Sequence, residues 1–290
     1  MTMTKKFAGV FLAMCLTFGA MFALAGCSSS SSTSSDSSSS KKEVTEVSMK
    51  EESVDTLKSE VGKDDVVFLD VRKAEDYAAG HIIGAVNADM DKAKDGDNED
   101  GISKMETAIK DNNLKDQKLV LVCYSGKKYA QAGTNILNAL GYDMSKVVTL
   151  QGGMKSWTAA GLRTATEVKE VKMTEEALDA AKAEVGSSSV VFLDVRKAED
   201  YKTAHIQGAL NADMDKAKDG DTVSGLVNMA KALDDNKITD KKIVLVCYSG
   251  KKYAQAATNS LSALGYDMTK VVTLSGGMKA WTEGGNATVS

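Results

Sequence analysis

A chain of 290 residues with 43% hydrophobic and 26% charged residues has the make-up of an ordinary folded protein. Its length favours two domains of roughly 100–150 residues over a single core. A net charge of −4 with no basic cluster argues against nucleic acid as a partner.

At the N-terminus, Lys5 and Lys6 precede an uncharged apolar run over 7–24. That order of a basic and an apolar segment reads as a secretory signal and not as part of the fold. The run ends in Leu24-Ala25-Gly26-Cys27, which resembles the bacterial lipobox. The resemblance implies cleavage after Gly26, a diacylglycerol on Cys27, and a protein held to a membrane by that anchor. An uncleaved signal anchor is the alternative, because the run is near the lower length for crossing a bilayer. Either reading places the remainder outside the cytoplasm and leaves the membrane surface open. Loss of residues 1–26 removes two lysines and no acid, so the mature chain is more acidic than the precursor.

Residues 27–46 follow as a tether. The stretch 28–40 is almost pure serine and cannot bury enough apolar surface to order itself. Of the four cysteines, Cys15 leaves with the signal and Cys27 is the lipidation site, which leaves Cys123 and Cys247 as thiols. An exported protein often joins such a pair as a disulfide, and that reading stands beside the reactive one.

Beyond the tether the chain repeats itself at a constant offset. Asp70 matches Asp194, His81 matches His205, Cys123 matches Cys247 and Trp157 matches Trp281, each pair 124 residues apart. A period that long means duplicated domains, expected over 47–168 and 169–290, and not solenoid units of roughly 20–50 residues.

In chain order, the first copy predicts a helix over 51–61, a strand over 66–69 and a helix over 102–110. A strand over 119–122, a helix over 128–140 and a strand over 147–150 follow. The strands are continuous in aliphatic and β-branched residues, as buried parallel strands are. Gly141 is the expected C-terminal stop of the fourth of these segments' following helix. Strands alternating with helices predict an α/β fold, with each copy a parallel sheet covered by helices on both faces. Chemistry in that class sits where strands end and helices begin.

The strand over 119–122 runs directly into Cys123-Tyr124-Ser125-Gly126-Lys127-Lys128, and the second copy repeats this as Cys247-Tyr248-Ser249-Gly250-Lys251-Lys252. Each cysteine therefore opens a tight strand-to-helix loop. Inward N–H groups, the helix dipole and two lysines all favour a thiolate and an anionic substrate there. The bland alternative is a small buried hydrophobe, the common fate of free cysteine.

The ordered landmarks around these loops resemble the rhodanese family. In the first copy they are Asp70-Val71-Arg72, Glu75-Asp76-Tyr77, Gly80-His81-Ile82-Ile83-Gly84-Ala85, the cysteine loop and Gly152-Gly153-Met154-Lys155-Ser156-Trp157. In the second they are Asp194-Val195-Arg196, Glu199-Asp200-Tyr201, His205-Ile206-Gln207-Gly208-Ala209, Cys247 and Gly276-Gly277-Met278-Lys279-Ala280-Trp281. The resemblance implies two tandem rhodanese-like domains and a sulfurtransferase. Cys123 and Cys247 would take sulfane sulfur from thiosulfate or a persulfide donor as a cysteine persulfide, then pass it to a thiophile. No metal or organic cofactor is implied.

Two departures stand out. Lys128 and Lys252 occupy a position where many relatives carry arginine, so the loop offers charge without a bidentate fork. Ile83 and Gln207 replace a proline common in that turn. Phosphatases of the same fold use a longer loop closed by arginine, and here Tyr129 and Tyr253 come next, which argues against phosphatase activity.

His81 and His205 read as structural, since a thiolate stabilised by its loop needs no base. Asp70 with Arg72, and Asp194 with Arg196, read as pairs shaping the wall of the site. The acids over 95–100 lack the glycine a calcium loop requires at its sixth position, where Asp100 stands, and read as solvated. Trp157 and Trp281 are expected to open a C-terminal helix and to pack. Three functions remain in view: a sulfurtransferase, a persulfide carrier serving a partner protein, and a scaffold whose domains have lost activity.

Overall fold

The computed structural model describes residues 42–290, so the segment expected to be a signal peptide, Cys27 and the serine run lie outside the described residues. Two α/β domains follow one another, each built on a five-stranded parallel sheet. In the first, the strands are β1 (Glu51–Glu52), β2 (Val66–Asp70), β3 (Val86–Asn87), β4 (Lys118–Val122) and β5 (Val147–Leu150). Its helices are α1 (Val54–Leu57), α2 (Ala74–Ala79), α3 (Asn98–Asp111), α4 (Lys128–Ala139) and α5 (Gly153–Ala159). The second repeats the series as β6 (Glu175–Glu176), β7 (Val190–Asp194), β8 (Leu210–Asn211), β9 (Lys242–Val246) and β10 (Val271–Leu274). Its helices are α6 (Leu178–Ala183), α7 (Ala198–Thr203), α8 (Thr222–Asp235), α9 (Lys252–Ala263) and α10 (Gly277–Glu283).

The strand order β1-β5-β4-β2-β3 has one consequence for function. From β2 the chain crosses outward to β3, and from β4 it crosses the opposite way to β5. The carboxyl ends of β2 and β4 therefore flank the topological switch point, where open α/β sheets leave a crevice. Asp70 of β2 pairs in register with Val122 of β4, which sets Val71 and Cys123 side by side above the sheet. The second domain reproduces this order and register, with Asp194 opposite Val246.

Alternation along β4 divides its side chains between two cores. Leu119 and Leu121 face α3 and α4 with Met105, Ile136 and Leu137, and Cys123 continues that face. Val120 and Val122 face the other layer with Leu57, Ile82, Met154 and Trp157. Both faces are thus covered, which is why the strands read as unbroken apolar runs.

Three local expectations are corrected. The segment 51–61 begins as edge strand β1, whose Glu51 and Glu52 pair with Thr149 and Leu150, and only then turns helical. Ser53 causes the switch by accepting the Thr56 N–H, and α1 lasts one turn before tightening into a 3-10 turn over Lys58–Glu60. Helix α3 starts at Asn98, earlier than expected, because the Asp97 carboxylate caps the N–H of Asp100. Trp157 does not open its helix but sits inside α5, buried against Phe68 in an edge-to-face contact at 6.0 Å.

Candidate active site

Cys123 follows directly on β4 and Cys247 on β9, and both are free, buried thiols, so they form no disulfide. The chain then turns through Gly126, whose φ of +71° favours glycine, and enters α4 at Lys128. That turn folds the Gly126 N–H back onto the sulfur, where it donates to Cys123 Sγ at 3.2 Å. The second copy repeats the bond from Gly250 to Cys247 Sγ at 3.1 Å. A donor aimed at the sulfur stabilises negative charge on it.

The loop is braced from below by the turn after β5. The Met154 N–H donates to the Cys123 carbonyl at 2.8 Å and the Lys155 N–H to the Tyr124 carbonyl at 3.1 Å. Met278 and Lys279 do the same for Cys247 and Tyr248. The Gly-Gly pair that opens α5 is what permits this close approach.

Asp70 and Arg72 stand on the other side of the crevice. The guanidinium grips the buried carboxylate through Nε at 3.0 Å and Nη2 at 2.6 Å, and Nη2 also donates to the Gly80 carbonyl at 2.7 Å. Asp194 and Arg196 repeat the pair, with Ala204 in place of Gly80. Of these four residues Arg72 lines the crevice beside the first loop, and it lies over the Tyr124 ring at 5.9 Å. The arginine is committed to aspartate and peptide oxygen.

Two aromatic residues per copy, and the acids that hold them, complete the rim. Tyr124 donates its hydroxyl to Asp76, and Tyr129 donates to Asp91 at 2.6 Å. The rings meet edge to face at 5.0 Å. Burial, reinforced by the Asp76 contact, pushes the Tyr124 hydroxyl up to about 12. Burial also raises Tyr129, while its hydroxyl holds the Asp91 carboxyl below the usual carboxylate range. Tyr248 with Asp200, and Tyr253 with Asp215, reproduce the arrangement. The sequence offered one signal for these acids, their recurrence in both copies, and no way to tell which tyrosine each would hold.

The cations at the mouth divide into two groups. Lys73 and Lys94 are engaged by Asp91, at 3.7 and 3.4 Å. Lys127, Lys128 and Lys155 are exposed and make no ion pair among the described residues. Lys251 and Lys252 are likewise uncommitted, whereas Lys279 has Glu283 at 3.9 Å. Ser125 and Ser249 are exposed at the loop tip. A crevice of about 370 Å³ adjoins the first loop and is lined by Arg72, Asp76, Tyr124, Met154 and Lys155, together with Thr158 and Thr164.

His81 is held by Tyr77. Its ring stacks on Tyr77 at 4.0 Å and its Nδ1–H donates to the Tyr77 carbonyl at 2.9 Å. His205 is held by Tyr201 in the same way, at 2.8 Å. The acids over 95–100 are occupied locally: Asp95 pairs with Lys94, Asp97 caps α3, and Asp100 pairs with Lys104 at 2.8 Å.

A free cysteine at the switch point of a parallel sheet, with a glycine N–H on its sulfur and uncommitted lysines at its rim, defines an α/β domain built around a thiol loop. The chain belongs to the rhodanese-like domain family, whose model matches residues 53–160 and 177–284, well over half of the chain. No curated protein matches it.

Among solved structures, the chain is similar to the thiosulfate sulfurtransferase of Pseudomonas aeruginosa at 17% identity and a TM-score of 0.34, covering 83% of this chain and 43% of that one. It is similar to SseA of Escherichia coli, described with the 3-mercaptopyruvate sulfotransferases, at 17% identity and a TM-score of 0.33, covering 79% and 99%. The BH2092 protein of Bacillus halodurans is 22% identical at a TM-score of 0.32, covering 40% and 77%. Likenesses this distant carry no argument about activity, and the family assignment rests on the two domain matches.

Proposed function

We propose that the protein is a sulfurtransferase, with Cys123 and Cys247 as its nucleophiles. The observation that carries this reading is the glycine N–H held on the sulfur of a free cysteine, found in both copies of a rhodanese-like domain. The cysteine thiolate attacks the outer sulfur of thiosulfate, an S–S bond forms to the protein, and sulfite leaves with the electron pair of the old one. The terminal sulfur of the persulfide carries the negative charge, which the loop N–H groups stabilise. A thiophile such as cyanide then takes that sulfur and returns the thiolate, so two easier steps replace one.

The rim supports an anionic donor. Lys127 and Lys128 add uncommitted positive charge, while the arginine of the wall is held by Asp70 and does not reach for an oxyanion. The depth of the thiol, 2% exposed at Cys123 and 1% at Cys247, favours a small donor over a bulky one. The reaction as written needs no metal or organic cofactor.

The test is to incubate the purified chain with thiosulfate and weigh it intact, with Cys123→Ser and Cys247→Ser variants locating any gain. One added sulfur per intact cysteine supports the reading. Subsequent loss of that sulfur to cyanide identifies a turning-over enzyme, and loss only to a protein thiol identifies a carrier. A folded chain that gains no sulfur from thiosulfate or from polysulfide refutes both.

We further propose that the protein works outside the cytoplasm on a lipid anchor at Cys27. The support is the order of basic, apolar and small residues before that cysteine. Among the described residues, no helix is long and apolar enough to cross a membrane. Incorporation of labelled fatty acid, abolished by Cys27→Ala, is the expected result, and unchanged labelling of that variant would refute the anchor.

A further inference from the structure

The two domains meet through unlike faces. The first contributes Gly62, Ile83, Gly84 and the outgoing segment through Ala165. The second contributes one side of α8, with Val223 and Val227. The fit is close: a Cβ added to Gly62 would lie 2.8 Å from Val227 Cγ2, and one added to Gly84 would lie 3.0 Å from Val223 Cγ1. Ile83 and Ala165 belong to the hydrophobic core of the second domain, with Val223 and Val227 packed against it. Polar contacts frame the patch, from Arg163 Nε to Asp234 at 2.6 Å and from the Thr166 N–H to the Ala263 carbonyl at 2.9 Å.

A heterologous contact between like units leaves one face of each kind unused, and repetition of that contact from chain to chain builds a filament. The unused faces here are at Gly186, Gln207 and Gly208 in the second domain and on α3 in the first. The backbone at Gly186 and Gly208 is as open as its counterpart is covered, with nothing within 4 Å of an added Cβ. Yet Gln207 stands where Ile83 stands, Glu99 where Val223 stands, and Ser103 where Val227 stands. Three apolar residues of the contact, Ile83, Val223 and Val227, thus have a polar residue at the matching open position. Val289, at the place of Ala165, stays apolar and is 40% exposed.

We infer that Gln207, Glu99 and Ser103 terminate the array. The open face of the second domain has the backbone to receive a helix bearing β-branched residues four apart, and the helix offered by another copy of this chain carries glutamate and serine instead. Carrying a carboxylate and a hydroxyl out of water into a contact shaped for branched apolar side chains costs more than the contact returns. Copies of the chain therefore do not add to one another end to end through this contact.

The experiment is sedimentation of the chain carrying Cys27→Ser, compared with the same chain also carrying Glu99→Val, Ser103→Val and Gln207→Ile. The parent is expected to sediment as a monomer at every concentration, and the triple variant to shift to larger species as concentration rises. Identical sedimentation of the two, or a parent that already associates, overturns the inference. The converse variant, Val223→Glu with Val227→Ser, guards against a triple variant that fails to fold. It should leave the chain monomeric and make the connecting segment 161–174 several-fold more sensitive to protease. A segment as resistant as the parent's would show that these valines do not hold the contact, and would equally overturn the inference.

Discussion

Gly153 lies so close to Cys123 that a Cβ added to it would stand 2.2 Å from the Cys123 carbonyl oxygen and 2.8 Å from the Ser125 nitrogen. Gly277 has the same relationship to Cys247, again at 2.2 Å. Both glycines also hold φ near +60°, at +59° and +58°, where other residues are strained. Gly153→Ala must therefore displace the cysteine loop or the turn after β5, and with it the donor on the sulfur. The expected outcome is loss of sulfur uptake at Cys123 with Cys247 still loading, together with a stability loss of about 1–3 kcal/mol. Intact mass by cysteine and urea unfolding measure the two effects; normal loading at Cys123 would contradict the bracing role.

The pair formed by Asp70 and Arg72 is the most buried ionic contact at the site, with the carboxylate 0% and the arginine 7% exposed. Asp70 also accepts the Arg72 backbone N–H at 3.0 Å, so one carboxylate fixes both ends of that residue. Asp70→Ala leaves a guanidinium buried with only the Gly80 carbonyl to receive it. Removing one partner of such a pair costs about 3–5 kcal/mol. Chemical unfolding of the variant should show that loss, and a midpoint equal to the parent's would contradict it.

The long strands were legible in the sequence because burial on both faces makes them unbroken aliphatic runs. The two-residue strands β1 and β3 were not, since pairing with a neighbour defines them and no periodicity does. The repeat exposed the cysteine loops, the Asp-Val-Arg segments and the Gly-Gly turns, all of which lie near the switch point. It could not show that Asp76 would hold Tyr124 or that Asp91 would hold Tyr129, because those partners are 48 and 38 residues apart in the chain. The meaning of Ile83 against Gln207 was also hidden. Both stand in the same turn, and only the packing of one domain on the other tells covered from open.

Lys127 and Lys128 are exposed, uncommitted cations of the first cysteine loop. A cleft lined by one sign of charge raises the local concentration of an oppositely charged ligand, and salt screens the effect. Lys127→Gln with Lys128→Gln should slow sulfur loading of Cys123 from thiosulfate by about ten-fold at low salt. The parent rate should fall as salt rises, and the variant rate should fall less. Exposed substitutions of this kind move stability by no more than about 0.5 kcal/mol. Loading followed by mass over time at two ionic strengths separates the charge effect from misfolding, and equal rates would remove these lysines from donor capture.

His81 links the first cysteine domain to its outgoing segment, exchanging backbone hydrogen bonds with Ala165 at 3.0 and 2.9 Å. Burial lowers its pKa most, with the nearby Arg72 charge acting the same way, against the Tyr77 carbonyl and Asp70, which favour the proton. The folded protein thus binds this proton less readily than the unfolded chain, whose histidine titrates near about 6.5. Stability from His81 is complete above that value and is lost as pH falls through the lower folded pKa, because the unfolded state then takes up the proton first. Urea unfolding at about pH 7.5 and about pH 5.5 should show a midpoint that drops for the parent and drops less for His81→Gln. Carboxylates titrate mainly below this window and contribute equally to both proteins, so matching slopes would show that the buried imidazole is not the source of the pH dependence.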